Sequence, residues 1–177
     1  FYYPTTIFCR RQFESGAMGR LVYAEGEYIH DMSHGFYEAY QHSGGEHWQQ
    51  TAGFPPMFYP SHSVSMIVSV TGQHLLQVSC LGYVDQHEDR IFTPEGNRWA
   101  NPFSNETALF RTSGGAMCRI NEFRRVGVSG GSSVRLSLYG TQAAFEEQAD
   151  GAILTRLHEP PEDLRGLDRY EARERVV

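Results

Sequence analysis

The segment Tyr59-Pro60-Ser61-His62 sets an imidazole and a phenol around a proline and a serine able to open a helix. A histidine exchanges a proton near neutral pH. A neighbouring phenol can donate a hydrogen bond to the same substrate oxygen or share a proton with it. Pro60 stiffens the approach and Ser61 can cap a helix, so His62 is expected on that helix's first turn. A structural reading covers the same residues: Tyr59 packed in a core and His62 satisfying a loop. Spacing alone does not separate the two.

A second cluster is His30-Asp31-Met32-Ser33-His34, with His42 and His47 nearby. The zinc protease pattern needs Glu directly after the first His and a helix beneath both imidazoles. Here Asp31 stands in that place and a strand is expected to end at His30, so no metal site is expected and His30 is read as lining a substrate cleft. Glu25, Glu27 and Tyr28 lie inside an otherwise apolar strand. A buried carboxylate costs several kcal/mol unless paired, so an inward Glu needs a partner or a hydroxylated ligand, and the other can face solvent. Arg119, Glu122, Arg124 and Arg125 read as an ion-pair ladder across a sheet.

These groups must be carried by a mixed set of elements. Pro4 to Phe13 predicts a short helix stopped by Gly16 and Gly19. Leu21 to His30 predicts a strand with Leu21, Tyr23, Glu25, Glu27 and Ile29 on one face and Val22, Ala24, Gly26, Tyr28 and His30 on the other. Residues 31–56, punctuated by Gly35, Gly44-Gly45, Gly53 and Pro55-Pro56, read as a long loop kept ordered by its aromatics. A helix is expected from Ser61 to about Thr71, with Gly72 as its left-handed stop. Strands are expected at Leu75–Tyr83, Thr107–Thr112, Met117–Arg125, Val134–Tyr139 and Ala143–Gln148. Turns at Ser113-Gly114-Gly115, Ser129-Gly130-Gly131-Ser132 and Gly140-Thr141 make the sheet mainly antiparallel. Beyond residue 155, Pro160-Pro161 and a charged run read as a tail.

At 177 residues, 40% hydrophobic and 13% aromatic, the chain fits one folded domain. A formal charge of −6 argues against nucleic-acid binding. All fifteen basic residues are Arg, so Schiff-base, phosphate-loop and acid/base lysines are excluded within this chain. Three scattered cysteines form neither a disulfide framework nor a zinc knuckle, and a reducing, cytoplasmic setting is the default expectation. No apolar run approaches the roughly 20 residues of a membrane span. Neither a Gly-x-Gly-x-x-Gly turn nor a Gly-x-Ser-x-Gly elbow is present. The opening Phe-Tyr-Tyr-Pro leads us to expect residues upstream.

Ser15-Gly16-Ala17-Met18-Gly19-Arg20 before the first strand, Pro55-Pro56-Met57-Phe58-Tyr59-Pro60-Ser61-His62-Ser63, and Val70-Thr71-Gly72 ten residues after His62 together resemble the C-terminal domain of the Gfo/Idh/MocA oxidoreductases. The resemblance covers roughly residues 1–155. It implies an α+β fold with a large open, mainly antiparallel sheet and helices packed on one face, like domain 2 of dihydrodipicolinate reductase, and no Rossmann unit in this chain. It also implies an upstream dinucleotide-binding domain in the same polypeptide and NAD or NADP as cofactor. A sugar or polyol is the implied substrate, and a homodimer or tetramer through the sheet the implied assembly.

In that resemblance His62 matches the family histidine that exchanges a proton with the substrate hydroxyl. Many members place Asp four residues earlier; position 58 here is Phe, and Tyr59 is the nearest polar substitute. The expected site is therefore His62 and Tyr59 for catalysis, with Glu25, Tyr28, His30 and Trp48 contacting substrate. Carboxylates suit hydroxyl pairs, and an aromatic such as Trp48 can stack on a sugar's apolar face. The family's catalytic Lys belongs to the upstream domain. The Tyr-Pro-Ser/Thr-His form is similar to a branch of NAD-dependent, redox-assisted glycoside hydrolases. That activity, and a non-catalytic dimerisation module, stand as alternatives.

Overall fold

The computed structural model describes residues 3–128 and 134–165. An eight-stranded sheet carries the fold: β1 (Leu21–Ile29), β2 (Leu75–Val84), β3 (Phe103–Thr112), β4 (Met117–Phe123), β5 (Val134–Gly140), β6 (Ala143–Glu147), β7 (Ala152–Arg156) and β8 (Glu162–Asp163). Its order is β2-β3-β4-β1-β5-β6-β7-β8, antiparallel throughout except for the parallel β1–β4 pair at its centre. The expected α+β class with an open, mainly antiparallel sheet is what the chain adopts.

Two helices, α1 (Pro4–Glu14) and α4 (Ser61–Thr71), lie on one face of this sheet. Their apolar sides supply Cys9, Met66, Ile67 and Val70, which meet Ala24 of β1, Ile120 of β4, and Leu136 and Leu138 of β5. The alternation expected for β1 places Ala24 and Gly26 under the helices and Tyr23 and Glu25 on the open face. Gly26 is required: a Cβ there would lie 2.5 Å from the Ser63 carbonyl oxygen, so only glycine lets α4 approach this closely. Gly72, at φ 66°, ends α4 in the left-handed conformation as expected.

Several expectations change. Residues 31–56 are largely helical: α2 (Phe36–Gly44) and α3 (Trp48–Ala52) are joined by one 3-10 turn, and a second follows at Pro56–Phe58. The glycines and prolines that signal a loop bound short helices instead. These helices are held because Phe36, Tyr37, Tyr40 and Trp48 pack on a second apolar cluster of Met32, Ala52, Ile91 and Phe92. Ser61 is the first residue of α4; Pro60 takes the cap position, without a side-chain cap. The supposed hairpin at residues 129–132 lies outside the described residues, and its flanking strands β4 and β5 are separated by β1.

The sheet also runs past residue 155, since β7 ends at Arg156 and β8 pairs with it. Residues 85–102 form a long irregular connection organised by two buried asparagines. The Asn97 amide donates to the carbonyls of Ile91, Thr93 and Asn101 at 2.8–3.0 Å. The Asn101 amide donates to the carbonyls of Gly53 and Phe103. Among the described residues no helix is long and apolar enough to cross a membrane.

Candidate functional site

His62 stands on the first turn of α4 and is half-buried. The Tyr3 hydroxyl lies 3.1 Å from its Nδ1. The Tyr28 ring, from the end of β1, packs 4.7 Å from the imidazole, and Tyr59 meets it edge-on at 6.1 Å. Burial lowers the His62 pKa from its ordinary value, and the positive charge of Arg124 and the neighbouring His30 lower it further. That shift favours the neutral imidazole, the form able to take up a proton.

Behind His62 is a buried polar network. Ser63 Oγ donates to Glu122 Oε1 at 2.5 Å, and Arg124 Nη2 donates to Glu122 Oε2 at 3.0 Å. Both charged side chains are almost wholly enclosed, Arg124 at 2% exposure and Glu122 at 0%. Burial pushes the Glu122 carboxyl up to about 7, although Arg124 and the Ser63 hydroxyl pull the other way. Desolvation outweighs a single ion pair here. The Arg124 guanidinium is packed among aromatic rings, with centroids at 4.9 Å (Tyr28), 5.8 Å (Phe36) and 6.0 Å (Phe54), and its Nε has no hydrogen-bond partner. Glu106, on β3, accepts the Met57 N–H at 2.6 Å and so fixes the turn that leads into α4. Its own carboxyl is raised by burial.

His30 is held by both ring nitrogens. Its Nε2 lies 2.9 Å from the His34 carbonyl oxygen, to which only an N–H can donate, so Nδ1 accepts the Tyr28 hydroxyl at 2.7 Å. The aromatic wall continues from His30 through Phe36 (4.1 Å), Tyr40, Phe54 and Trp99 to Phe58. At its outer end Phe58 is 70%, Tyr59 55% and Trp99 38% exposed. Beside it a groove of about 400 Å³ runs along the outer side of α4, lined by Phe58, Tyr59, Val64 and Val68. A larger cleft of about 640 Å³, lined by Asp31, His34, Tyr37, His87 and Arg125, is less suited to chemistry. Its guanidinium is already held by Asp89 at 2.5 Å and by Tyr37.

The fold therefore brings His62, Tyr59, Tyr28 and His30 together, but not Glu25 or Trp48. Glu25 sits on the open face of the sheet, accepting from the Tyr23 hydroxyl at 2.6 Å and from Arg119 at 2.9 Å. The two-residue period of β1 already sets residues 25 and 28 on opposite faces. Trp48 packs edge-on to Tyr37 in the second apolar cluster, and Trp99 stands at the wall instead. Sequence reasoning missed Tyr3, Ser63, Glu106 and Trp99. It read Arg119, Glu122, Arg124 and Arg125 as an ion-pair ladder across the sheet; Glu122 and Arg124 do pair, and the pair is buried. An Arg within two residues of a Glu on an otherwise apolar strand face was the available signal.

No family model and no curated protein sequence matches this chain. Solved structures do. An inositol dehydrogenase homolog from Azotobacter vinelandii, complexed with NADH and myo-inositol, superposes with TM-score 0.66 at 15% identity, over 94% of this chain and 41% of that one. The likeness is one of fold. A levoglucosan dehydrogenase complexed with NADH and levoglucosan gives 0.62 at 16% identity, covering 89% and 41%. An oxidoreductase from Pseudomonas syringae gives 0.63 at 14%, covering 94% and 40%. The chain thus spans about two fifths of the length of the oxidoreductases whose fold it shares.

Proposed function

We propose that this chain is the substrate-side domain of an NAD- or NADP-dependent oxidoreductase of the Gfo/Idh/MocA type. Its substrate is a sugar or polyol, and His62 is the general acid/base. The observation that carries the reading is the half-buried imidazole of His62, wrapped by Tyr3, Tyr28 and Tyr59 on the first turn of α4. The domain's fold, shared with parts of dehydrogenases solved with NADH and a polyol or anhydrosugar, supports it.

The described residues do not fit the dinucleotide's phosphates. Their one strand-to-helix connection, residues 30–35, carries a single glycine, Gly35, rather than a glycine-rich turn. The cofactor is accordingly assigned to a dinucleotide-binding domain of the same polypeptide, where it would accept or supply hydride. This chain's part is the proton. Exchange with the substrate hydroxyl is assigned to the His62 imidazole, with Tyr59 as its hydrogen-bonding neighbour. Tyr28 and His30 form the wall against which the substrate lies, and Glu25 and Trp48 are left out of the site.

In the full enzyme, supplied with NAD or NADP and a panel of sugars and cyclic polyols, His62→Ala is expected to lower turnover about a hundredfold or more. Turnover within a fewfold of wild type removes His62 from the mechanism. A second reading, redox-assisted glycoside cleavage, is favoured by the exposed rings of Phe58 and Trp99, which could carry an aglycone. Release of a chromogenic aglycone without net NADH formation would select it.

The assembly is proposed to be a dimer or tetramer through the sheet. The edge strand β2 exposes Val78 (64%) and Leu81 (80%), and the open face adds Leu109 and Met117.

A further inference from the structure

We propose that the buried Glu122–Arg124 pair, tied to α4 through Ser63, sets the position and charge state of His62, so that all three are positioning residues for its proton exchange. The inference rests on the reading of His62 as acid/base.

Two geometric facts carry it. Ser63 is the next residue after His62, and its hydroxyl fastens the first turn of α4 to Glu122 on β4. The Arg124 guanidinium lies 4.9 Å from the Tyr28 ring centre, and that ring lies 4.7 Å from the imidazole. A full positive charge is thus held behind His62 with one phenol ring between them, in surroundings where water screens little. Glu122, its carboxyl pushed up to about 7 by burial, is mostly neutral where His62 titrates and leaves that charge uncancelled.

The other groups around the imidazole change the field less. Tyr3, ahead of α1, and Tyr28, on β1, are held above the ordinary phenol range by burial and stay neutral. His30 has both nitrogens engaged by Tyr28 and the His34 carbonyl. Tyr59 flanks from the turn ahead of α4. Glu106, on β3, is the second acid near Arg124, and burial favours its neutral form.

Two substitutions separate charge from shape. Glu122→Gln keeps the shape and the acceptor for Ser63 and stands in for the neutral acid, so the His62 titration stays where it is. Arg124→Met removes the positive charge, and the His62 pKa moves up. The double variant E122Q/R124M leaves no lone buried charge and also moves it up, so it carries the upward arm if R124M alone does not fold.

The readout is the pH titration of the His62 ring proton and carbon resonances by NMR in the purified protein without substrate, assigned by their loss in His62→Gln. An upward shift in Arg124→Met with no shift in Glu122→Gln supports the proposal. A shift common to both variants, or an unmoved titration in both, overturns it, because a purely structural role does not separate the two. The outcome is separable from the functional reading. An upward shift in Arg124→Met together with full turnover in His62→Ala would leave the charge setting intact and remove the acid/base assignment; unmoved titration with an inactive His62→Ala would do the reverse.

Discussion

Replacing Gly26 by Ala tests how closely α4 must sit on β1. A Cβ at position 26 would meet the Ser63 carbonyl oxygen at 2.5 Å and its carbon at 3.0 Å, and the Ile120 side chain at 3.2 Å. The first two are backbone atoms of a helix already fixed to β4 by Ser63 and Glu122, so they cannot swing aside as a flexible side chain could. Two effects oppose each other. Alanine restricts the unfolded chain and suits a strand better than glycine, which contributes roughly 0.4–1 kcal/mol of stability. Forcing a methyl group into a closed contact costs about 1–3 kcal/mol.

The contact is with backbone, so overpacking wins and a net loss of about 1–2 kcal/mol is expected. For a chain of this size that lowers Tm by roughly 2–8 °C. Differential scanning fluorimetry reads it directly. Gly127→Ala is the control, since nothing lies within 4 Å of a Cβ there and its φ is not positive. A Gly26→Ala protein at or above wild-type Tm would refute the argument that glycine is needed for helix approach. In the full enzyme the same variant should also lose turnover, because the displaced turn carries His62.

Other perturbations have equally definite outcomes. Burial raises the Glu122 carboxyl from its ordinary 4.5 to about 7, so the folded state holds this proton more tightly than the unfolded chain. The group's stabilisation is therefore complete below about 4.5 and is lost as pH rises through about 7. Melting curves of Glu122→Gln and wild type at pH 5 and 8 should show the variant gaining relative stability at the higher pH; a pH-independent difference contradicts this. Tyr3→Phe removes one hydrogen bond to the imidazole, worth about 0.5–1.5 kcal/mol, so turnover should fall roughly threefold to tenfold with little change in Tm. Leu81→Glu on β2 should lower the mass measured by light scattering, and an unchanged mass would place any assembly elsewhere.

Much of the framework was legible because it follows from local rules. Period-two alternation in β1, the glycine stop at Gly72 and the short turns at Gly114-Gly115 and Gly140 each act within a few residues. The errors fall where tertiary packing decides. Helices α2 and α3 are too short to be stable alone, and they form because residues 85–102 supply Ile91 and Phe92 to pack against. Glu25 looked like a ligand-facing acid because its partner, Arg119, is 94 residues away. Glu122 and Arg124 are likewise remote from Ser63, and sequence reading alone could not tell a buried pair from an exposed one.

The parallel pairing of β1 with β4 has a consequence for biosynthesis. Glu25 and Arg119, neighbours in the finished sheet, are separated by 94 residues of chain. At about 5–20 residues per second, β1 leaves the ribosome roughly 5–20 s before the strand that will lie beside it. Its antiparallel neighbour β5 is made later still. The central strand thus stays unpaired for most of the domain's synthesis, and the wall of Tyr28, His62 and Arg124 can close only once that late strand has docked.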